Sequence, residues 1–543
     1  MAVAVDPRVD SIVEQERNRL LRRVDWRFLA GTPVSASSVC FGDATLARAL
    51  GEMSSRIVRP EAALAGTDCD VAAAVNPDAD TLRRAWSALR PGGTLYTEWT
   101  GVRSGGPWGV ARKLTRQGFA DIECYAPRPD PALGPARVWI PLESTPAVRY
   151  FLRNQARANA VPHRRFARTI RRALWLAGRG ARFSHPLAVV ARKVTSPTER
   201  RGDGSSAPNM PRPGFVEAIR TTLAEGWERW GLGPTPSRLS LLLQTGGPRS
   251  VSKVVALVFA EGRETPAVVL KVPRVPESVA PLRTEATALR ALTGCAGVPR
   301  LLFAETHGDV FVVGESFVEG TPLVALERRA RFESVATMAT DWLITLAEGR
   351  SASAPSAWYD RLVESPLAEF VATFGPVLDR EMVRETRERL RMLGPLPLVC
   401  EHRDFSPWNV LLTASGELGV LDWEGAELRG LPVLDLVYFL AYLTFVRDGS
   451  DDVPSRRASY RSMLHPEADA GAVAHRCLER YCERLRIPRA ALGPLRLLVW
   501  LVHARSEYRR LVADAGGVPS RSALDGSLFV GLWREDLQRA RST

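Results

Sequence analysis

The sequence lacks the features of a secreted or membrane-spanning protein. Its seven cysteines form no C-x-x-C pair and no framework spacing, so a disulfide scaffold is not indicated. The first 20 residues have no apolar core of the kind found in signal peptides. The longest apolar runs, such as residues 433–446, are interrupted by Asp435 or are too short to cross a bilayer. We therefore expect a cytoplasmic protein.

Acidic residues are scarce in the N-terminal part of the chain. Residues 1–213 contain 33 Lys and Arg against 19 Asp and Glu, whereas the remainder contains 40 against 41. The net charge of +13 therefore arises in the N-terminal part. A chain of 543 residues is also too long for one hydrophobic core, so two or three domains are expected.

The most informative stretch is residues 401–424, EHRDFSPWNVLLTASGELGVLDWE. Two short apolar runs, at 410–412 and 418–421, flank the turn residues Ala-Ser-Gly-Glu and predict a β-hairpin. Such a hairpin brings Asn409, at its entrance, close to Asp422, at its exit. Their oxygen atoms can hold Mg²⁺, which prefers oxygen ligands and usually keeps some waters. Asp404 can then orient an attacking hydroxyl and take its proton.

These residues resemble the aminoglycoside phosphotransferase and choline kinase family, which has a protein-kinase-like fold. Its members carry H-G-D-x-x-x-x-N followed by I-D-W/F-E/D, and this chain has HRDFSPWN followed by LDWE. The resemblance implies ATP and Mg²⁺ as cofactors, with Asp404 as the catalytic residue and Asn409 and Asp422 as metal ligands. It also implies that Asp435 braces the catalytic loop through its carboxylate.

The same resemblance assigns nucleotide-binding residues upstream, in a predicted N-lobe over residues 214–323. Lys271, in an apolar strand, would meet the α- and β-phosphates of ATP and pair with Glu285 in the next helix. Backbone groups from Glu315 to Phe317 would bind the nucleobase edge as the hinge between lobes. A strand–turn–strand flap would cover the phosphates with backbone N–H groups at Gly246 and Gly247. That turn lacks G-x-G-x-x-G, and an ordinary hairpin turn explains it equally well.

Residues 324–543 are predicted to form a helical C-lobe that supports the catalytic loop. The sequence has no A-P-E landmark and little room between Asp422 and Asp435 for an activation segment. We therefore expect a small hydroxyl-bearing acceptor rather than a peptide. The family's substrates include aminoglycosides, sugars and choline, and the sequence does not distinguish among them.

Residues 1–195 alternate between strand-like and helix-like segments, which predicts a parallel sheet covered by helices. Residues 70–75 and 89–95 resemble part of a class I S-adenosylmethionine-dependent methyltransferase. The glycine-rich turn of that fold is reduced here to the single Gly42 in FGDAT, so side chains would obstruct the cofactor. Glu61 is the only candidate for a ribose-binding acid. We do not expect this domain to bind S-adenosylmethionine, and we assign it a structural or recognition role.

A basic helical insertion is predicted over residues 144–184, and a linker rich in Ser, Pro and Gly over 196–213. Residues 151–200 hold 12 Lys and Arg against the single acidic residue Glu199. The segment 149–201 can meet an anionic ligand or a membrane surface, or its helix can simply pack on the sheet with its arginines in water. Nucleic acid is not expected, because no binding motif accompanies the charge.

The predicted fold is therefore multidomain: an N-terminal α/β, Rossmann-like domain and a C-terminal two-lobed, protein-kinase-like domain. The favoured function is ATP-dependent transfer of the γ-phosphate to a hydroxyl of a small molecule. Two alternatives remain open at the level of sequence. One is a bifunctional kinase and methyltransferase, and the other is a pseudokinase that holds nucleotide without turnover. The sequence does not indicate an oligomeric state.

Overall fold

The computed structural model describes residues 17–18, 20–62, 67–100, 106–158, 186–194, 215–246, 253–326, 331–349, 358–515 and 517–542. The chain folds into two compact units. One, here called the sheet unit, comprises residues 14–282 and 301–317, and the other, the helical unit, contains residues 283–300 and 318–543.

The sheet unit begins with strands that pair in parallel, in the order β2–β1–β3–β4. One α-helix lies between β1 and β2 and another between β3 and β4, and Asp43 and Asp78 cap these two helices by accepting backbone N–H groups. The predicted parallel pairing is thus present in these four strands. The elements are β1 (Ser35–Phe41), β2 (Ser54–Val58), β3 (Cys69–Val75) and β4 (Leu89–Trp99), with α1 (Arg27–Ala30), α2 (Ala44–Met53), α3 (Ala79–Ala88) and α4 (Gly106–Arg116).

The strands that follow along the chain add to the same sheet by antiparallel pairing. β7 pairs with β4 and β5, and β5 pairs with β6. The following strands belong to the predicted N-lobe and form the order β8–β9–β10–β12–β11. Their bounds are β5 (Phe119–Arg128), β6 (Val138–Pro141), β7 (Leu187–Lys193), β8 (Leu239–Gln244), β9 (Lys253–Ala260), β10 (Val268–Pro273), β11 (Leu301–His307) and β12 (Val310–Ser316), with α5 (Thr145–Ala158) and α6 (Phe215–Gly226).

A short antiparallel pairing between β6 and β8 joins the two groups of strands into one 12-stranded sheet. Val138 pairs with Gln244 and Trp139 with Leu243, and the Thr245 N–H donates to the Arg137 carbonyl at 2.9 Å. One hydrophobic core also spans both groups and contains Trp26, Tyr96, Trp139, Leu241, Val258 and Val312. The sequence did not indicate strand β6 or this pairing, and the boundary predicted at residues 196–213 stays a prediction.

The helical unit contains the predicted C-lobe, residues 324–543, and most of its described elements are helices, as the sequence predicted. Two small sheets accompany them, one in the order β13–β15–β16 and the other formed by β14 and β17. The strands are β13 (Thr321–Pro322), β14 (Val399–Glu401), β15 (Val410–Leu412), β16 (Leu418–Val420) and β17 (Glu427–Gly430). The helices are α7 (Val279–Ala291), which enters this unit at Arg283, α8 (Phe332–Glu348), α9 (Ser365–Phe374), α10 (Arg380–Arg391), α11 (Leu434–Asp448), α12 (Val453–Leu464), α13 (Asp469–Arg484), α14 (Arg489–Ala515), α15 (Arg521–Asp525) and α16 (Leu528–Ser542).

Part of the basic insertion falls outside the described residues. Helix α5 starts it, as predicted, whereas residues 159–185 and 195–214 lie outside the described ranges. The predicted contact of segment 149–201 with an anionic ligand or membrane therefore stays a prediction. Among the described residues, no helix combines the length and apolarity needed to cross a bilayer. All seven cysteines are described and are free thiols.

Candidate functional site

The predicted hairpin is present in the helical unit, where it sets the positions of Asn409 and Asp422. Strands β15 and β16 pair with Val410 opposite Val420 and Leu412 opposite Leu418. One step further along, the Leu421 N–H donates to the Asn409 carbonyl at 2.9 Å. The hairpin therefore opens with Asn409 on one strand and Asp422 just beyond Leu421 on the other, as the sequence predicted.

Asp404 and Asn409 are in direct contact. Asn409 Nδ2 donates to Asp404 Oδ2 at 2.7 Å and to the Asp404 carbonyl at 3.0 Å. Because the NH₂ group faces Asp404, the amide oxygen of Asn409 is the atom that can serve as a metal ligand. Asp404 itself is exposed, whereas Asn409 is half-buried. The arrangement holds a carboxylate in a fixed orientation within reach of solvent.

Asp422 lies in a turn that is held in place on both sides. Its φ of +72° lies in the left-handed region, where aspartate is more frequent than most residues. The next residue, Trp423, is buried, and its N–H donates to Glu285 Oε1 at 3.0 Å. Before the turn, the Val420 N–H donates to the Gly297 carbonyl at 2.8 Å. A Cβ at Gly297 would lie 2.0 Å from the Leu418 carbonyl oxygen, so only glycine permits this approach.

The loop before Asp404 is held by Asp435 at the start of α11. Asp435 Oδ2 accepts the His402 N–H at 2.6 Å, and Oδ1 accepts the Arg403 N–H at 2.9 Å. The predicted bracing role of Asp435 is confirmed by these two bonds. Burial, reinforced by the nearby Glu401 carboxylate, raises the pKa of Asp435 from 3.8 to about 7.

His402 adds two further bonds from its ring. Nε2 lies 2.9 Å from the Leu421 carbonyl, and Nδ1 lies 3.2 Å from the Asp404 backbone nitrogen. A carbonyl only accepts and an N–H only donates, so these bonds fit the neutral ring with its proton on Nε2. The imidazole thereby ties the loop that carries Asp404 to Leu421, the residue before Asp422.

Three residues that the sequence analysis did not assign contribute to this loop. Glu401 is buried and accepts from the Arg403 side chain at 3.0 Å and from the Leu431 N–H. Phe405 is fully buried and stacks on Trp342, with ring centroids 5.5 Å apart. Trp408 is 47% exposed beside Asn409 and packs edge-on against Tyr442. The sequence shows that these three residues lie in or next to the motif, but it does not show which of them are buried and which is exposed.

In the sheet unit, Lys271 forms a buried salt bridge with Glu315. The Nζ–Oε1 distance is 2.9 Å, and the side chains are 6% and 3% exposed. The pairing follows from register, because Glu315 lies opposite Val269 and is therefore diagonal to Lys271 on one sheet face. The sequence predicted backbone contacts to a nucleobase for Glu315 and did not anticipate this side-chain bond.

The remaining predicted nucleotide-binding residues are placed as follows. Phe317 is half-buried and packs edge-on against Tyr150 of α5, with centroids 5.9 Å apart. Gly246 has a φ of +68°, which glycine adopts readily, and Gly247 lies outside the described residues. Glu285 is fully buried in the helical unit. Its predicted pairing with Lys271 stays a prediction, as do the nucleotide-binding roles of all these residues.

The donor set around Asp404 fits Mg²⁺. It consists of the Asp422 carboxylate and the Asn409 amide oxygen, both hard oxygen donors on one hairpin. Mg²⁺ typically takes one or two such ligands from the protein and fills its shell with water and phosphate oxygens. Within the described ranges, no group of three or more His, Cys, Asp or Glu suited to a metal is present.

Comparison with known proteins finds a match in the C-terminal part of the chain. The family model described as the phosphotransferase enzyme family matches residues 254–471. The predicted resemblance to this family is thereby confirmed for that segment, which includes Lys271, Asp404, Asn409 and Asp422. None of the curated proteins matches the sequence.

Solved structures similar to the chain include three phosphotransferases, each 18% identical. They are a type VIII aminoglycoside-3'-phosphotransferase (TM-score 0.33, covering 52% of this chain and 99% of its own) and a macrolide 2'-phosphotransferase from Brachybacterium faecium (0.31, 56% and 99%). The third is a glucosamine kinase in complex with glucosamine, ADP and inorganic phosphate (0.34, 61% and 89%). These similarities are too low to indicate the substrate of this chain.

The predicted methyltransferase resemblance of residues 35–195 stays a prediction. The structure does show what surrounds the single glycine after β1. A Cβ at Gly42 would lie 2.9 Å from Leu46 and 3.2 Å from Val75. This side of the turn is therefore occupied by the chain's own side chains.

Proposed function

We propose that the chain is an ATP-dependent phosphotransferase that moves the γ-phosphoryl group to a hydroxyl of a small molecule. The observation that supports this best is the hairpin of β15 and β16 with the loop before it. The Asn409 side chain donates to the Asp404 carboxylate, and the Asn409 carbonyl accepts the N–H of Leu421, the residue before Asp422. Catalysis in this class depends mainly on positioning and on electrostatic stabilisation.

In this proposal Asp404 orients the acceptor hydroxyl and takes its proton. Its exposure gives a substrate access, and the bonds from Asn409 fix the carboxylate direction. A carboxylate that needs no reorientation loses little entropy on meeting the hydroxyl. Asp435 and His402 act indirectly, because they fix the backbone that carries Asp404.

The cofactors in this proposal are ATP and Mg²⁺. Asn409 and Asp422 would hold Mg²⁺, which offsets phosphate charge when bound. Lys271 would orient the α- and β-phosphates, and its buried bond to Glu315 fixes the position of the ammonium group. Glu285 fixes the turn at Asp422 through the Trp423 N–H. The backbone from Glu315 to Phe317 would bind the base.

The proposed acceptor is a small molecule with a free hydroxyl group, such as an aminoglycoside, a sugar or choline. Among the similar solved structures, one is described in complex with gentamicin, one with streptomycin and one with glucosamine, which are ligands of two of these kinds. S-adenosylmethionine is not part of the proposal.

A screen of ADP release tests the proposed function. Purified chain would be incubated with MgATP and a panel of aminoglycosides, amino sugars, sugars and choline, with Asp404→Ala as the control. We expect one class to raise ADP release in the wild type and the effect to fall at least about 1,000-fold in the variant.

Binding of MgADP, measured by calorimetry, separates the two ways in which the screen can fail. Binding without turnover on any acceptor would favour the pseudokinase. Absence of both binding and turnover would refute the nucleotide-dependent function altogether.

A further inference from the structure

We propose that the N-terminal part of the chain positions the nucleotide-binding strands, and that Asp25 is the positioning residue through which it acts. The inference rests on the proposed function, since it concerns the site that would hold ATP. It assigns a role to a region that the family match, residues 254–471, does not include. All contacts involved lie within the sheet unit.

The centre of this arrangement is a buried salt bridge between Asp25 and Arg274. Arg274 Nε lies 3.0 Å from Asp25 Oδ1, and Arg274 Nη2 lies 3.0 Å from Asp25 Oδ2. Both side chains are fully buried, at 0% exposure. A bidentate pair of this kind fixes the plane of the guanidinium group as well as its position.

Arg274 links this pair to the ends of two strands. Its Nη2 donates to the Thr245 carbonyl at 3.3 Å and lies 3.5 Å from the Lys253 carbonyl. Thr245 directly follows β8, and Lys253 begins β9. One guanidinium group therefore holds the near ends of the two strands that were predicted to frame the phosphate flap. Arg274 is also three residues beyond Lys271 and directly follows strand β10, which carries Lys271.

The N-terminal part makes two further contacts with elements of the predicted nucleotide site. Strand β6 pairs with β8, and the Arg137 carbonyl accepts the Thr245 N–H at 2.9 Å. Tyr150 of α5 packs edge-on against Phe317, in the predicted hinge. Together with the Asp25–Arg274 pair, these contacts connect the N-terminal part to the flap strands and to the predicted hinge.

The physical consequence follows from burial. If Asp25 is neutralised, Arg274 keeps its charge in a dry environment and must find water or another acceptor. The Thr245 and Lys253 carbonyls would then no longer be held at a fixed separation. We infer that the flap strands would lose their alignment, and that MgATP affinity would fall before the fold is lost.

The test compares Asp25→Asn with Glu98→Gln in the full chain. Glu98 Oε2 accepts a hydrogen bond from Arg23 Nη2 at 2.6 Å, and both residues of this second pair are buried. It therefore serves as a matched control, since its carboxylate makes no described contact with Arg274. Two quantities would be measured: the Kd for MgATP by calorimetry, and hydrogen exchange at the amides of Thr245, Gly246, Lys253 and Val254.

For Asp25→Asn we expect MgATP to bind at least about tenfold more weakly, the equivalent of one charge-assisted hydrogen bond. Exchange at the four amides should be faster, whereas Glu98→Gln should leave both quantities near wild type even if it lowers the Tm. Asp25→Glu, which keeps the charge, should recover part of the affinity.

Unchanged exchange and affinity in Asp25→Asn would overturn the proposal, as would equal changes in both variants. If Asp25→Asn does not fold, Arg274→Lys would be compared with Glu98→Gln in its place. Lysine keeps the charge but lacks the planar, forked set of N–H donors of arginine. If the wild type binds no MgATP, the proposed function fails, while the exchange measurement still decides whether Asp25 fixes these strands.

Discussion

Asp435 Oδ2 lies 2.6 Å from the backbone nitrogen of His402, and the other oxygen of the same carboxylate accepts the N–H of Arg403. One buried side chain thus fixes two consecutive peptide groups immediately before Asp404. Arg403 has a φ of +63°, a conformation that few residues adopt without support. The geometry of the catalytic loop therefore depends on a residue 31 positions after Asp404 in the sequence.

We predict that Asp435→Asn changes how stability depends on pH. The pKa of Asp435 is raised from 3.8 to about 7 by burial and by Glu401, so between these values the folded chain keeps a proton that the unfolded chain releases. The stability this group contributes is present at low pH and is lost as the pH rises toward 7. An amide does not titrate. Urea unfolding of both proteins would be measured between pH 4 and 8. The free energy of unfolding of the wild type, relative to that of the variant, should fall by about 1–4 kcal/mol over this range. A constant difference would contradict the prediction.

His503 should make stability depend on pH in the opposite direction from Asp435. It is buried and stacks on Tyr438, with ring centroids 3.8 Å apart. Burial, with a smaller effect from Arg403, lowers the pKa of His503 from 6.5 to about 3. Below about pH 6.5 the unfolded chain takes up a proton that the folded chain refuses, so stability falls as the pH falls. In His503→Phe, which keeps the stacking, Tm should decline less than in the wild type between pH 6.5 and 4. Equal declines would refute this.

We predict that Asp422→Asn weakens the response to Mg²⁺ while leaving the fold intact. Asparagine tolerates the left-handed φ of +72° at this position, but it carries no charge for the cation. The Mg²⁺ concentration for half-maximal turnover should rise at least about tenfold, with little change in Tm. Asp422→Ala is the companion variant and should lose turnover as well as some stability. Wild-type Mg²⁺ dependence in Asp422→Asn would exclude this residue as a ligand.

Removal of residues 1–213 should prevent the remainder from folding normally. The cut exposes the β8 edge that pairs with Val138 and Trp139 and deletes Asp25, the partner of Arg274. An unpaired strand edge and a buried unpaired cation favour aggregation over folding. Residues 214–543 expressed alone should be insoluble or lack a cooperative thermal transition by circular dichroism. A folded product that binds MgATP like the full chain would show that the N-terminal part is dispensable.

The hairpin of the site could be predicted from the sequence because the residues that form it lie close together in the chain. The hairpin over residues 410–421 follows from two apolar runs and a turn, and its register places Asn409 and Asp422 at one end. The family resemblance also implied that Asp435 braces the loop. The sequence also predicted that the C-terminal part is mainly helical, which the structure shows for its described residues.

Contacts between distant segments could not be read in the same way. The buried salt bridge of Lys271 with Glu315 was not anticipated, because strand register decides which side chains become diagonal neighbours. The predicted pairing of Lys271 with Glu285 stays a prediction. Strand β6 has only four residues, too few for a periodic signal, and its pairing with β8 has no local signature. Asp25 and Arg274 are 249 residues apart, and their pairing depends wholly on the fold.

The sequence by itself determined which oxygen-bearing side chains lie on the hairpin and which family segment 254–471 resembles. Those properties depend on residue type and short spacing, which the chain carries without folding. Only the tertiary structure decided that the N-terminal strands continue into the strands predicted to bind nucleotide. That result depends on edge pairing and on a shared core, and both form only when residues far apart in the chain are buried together.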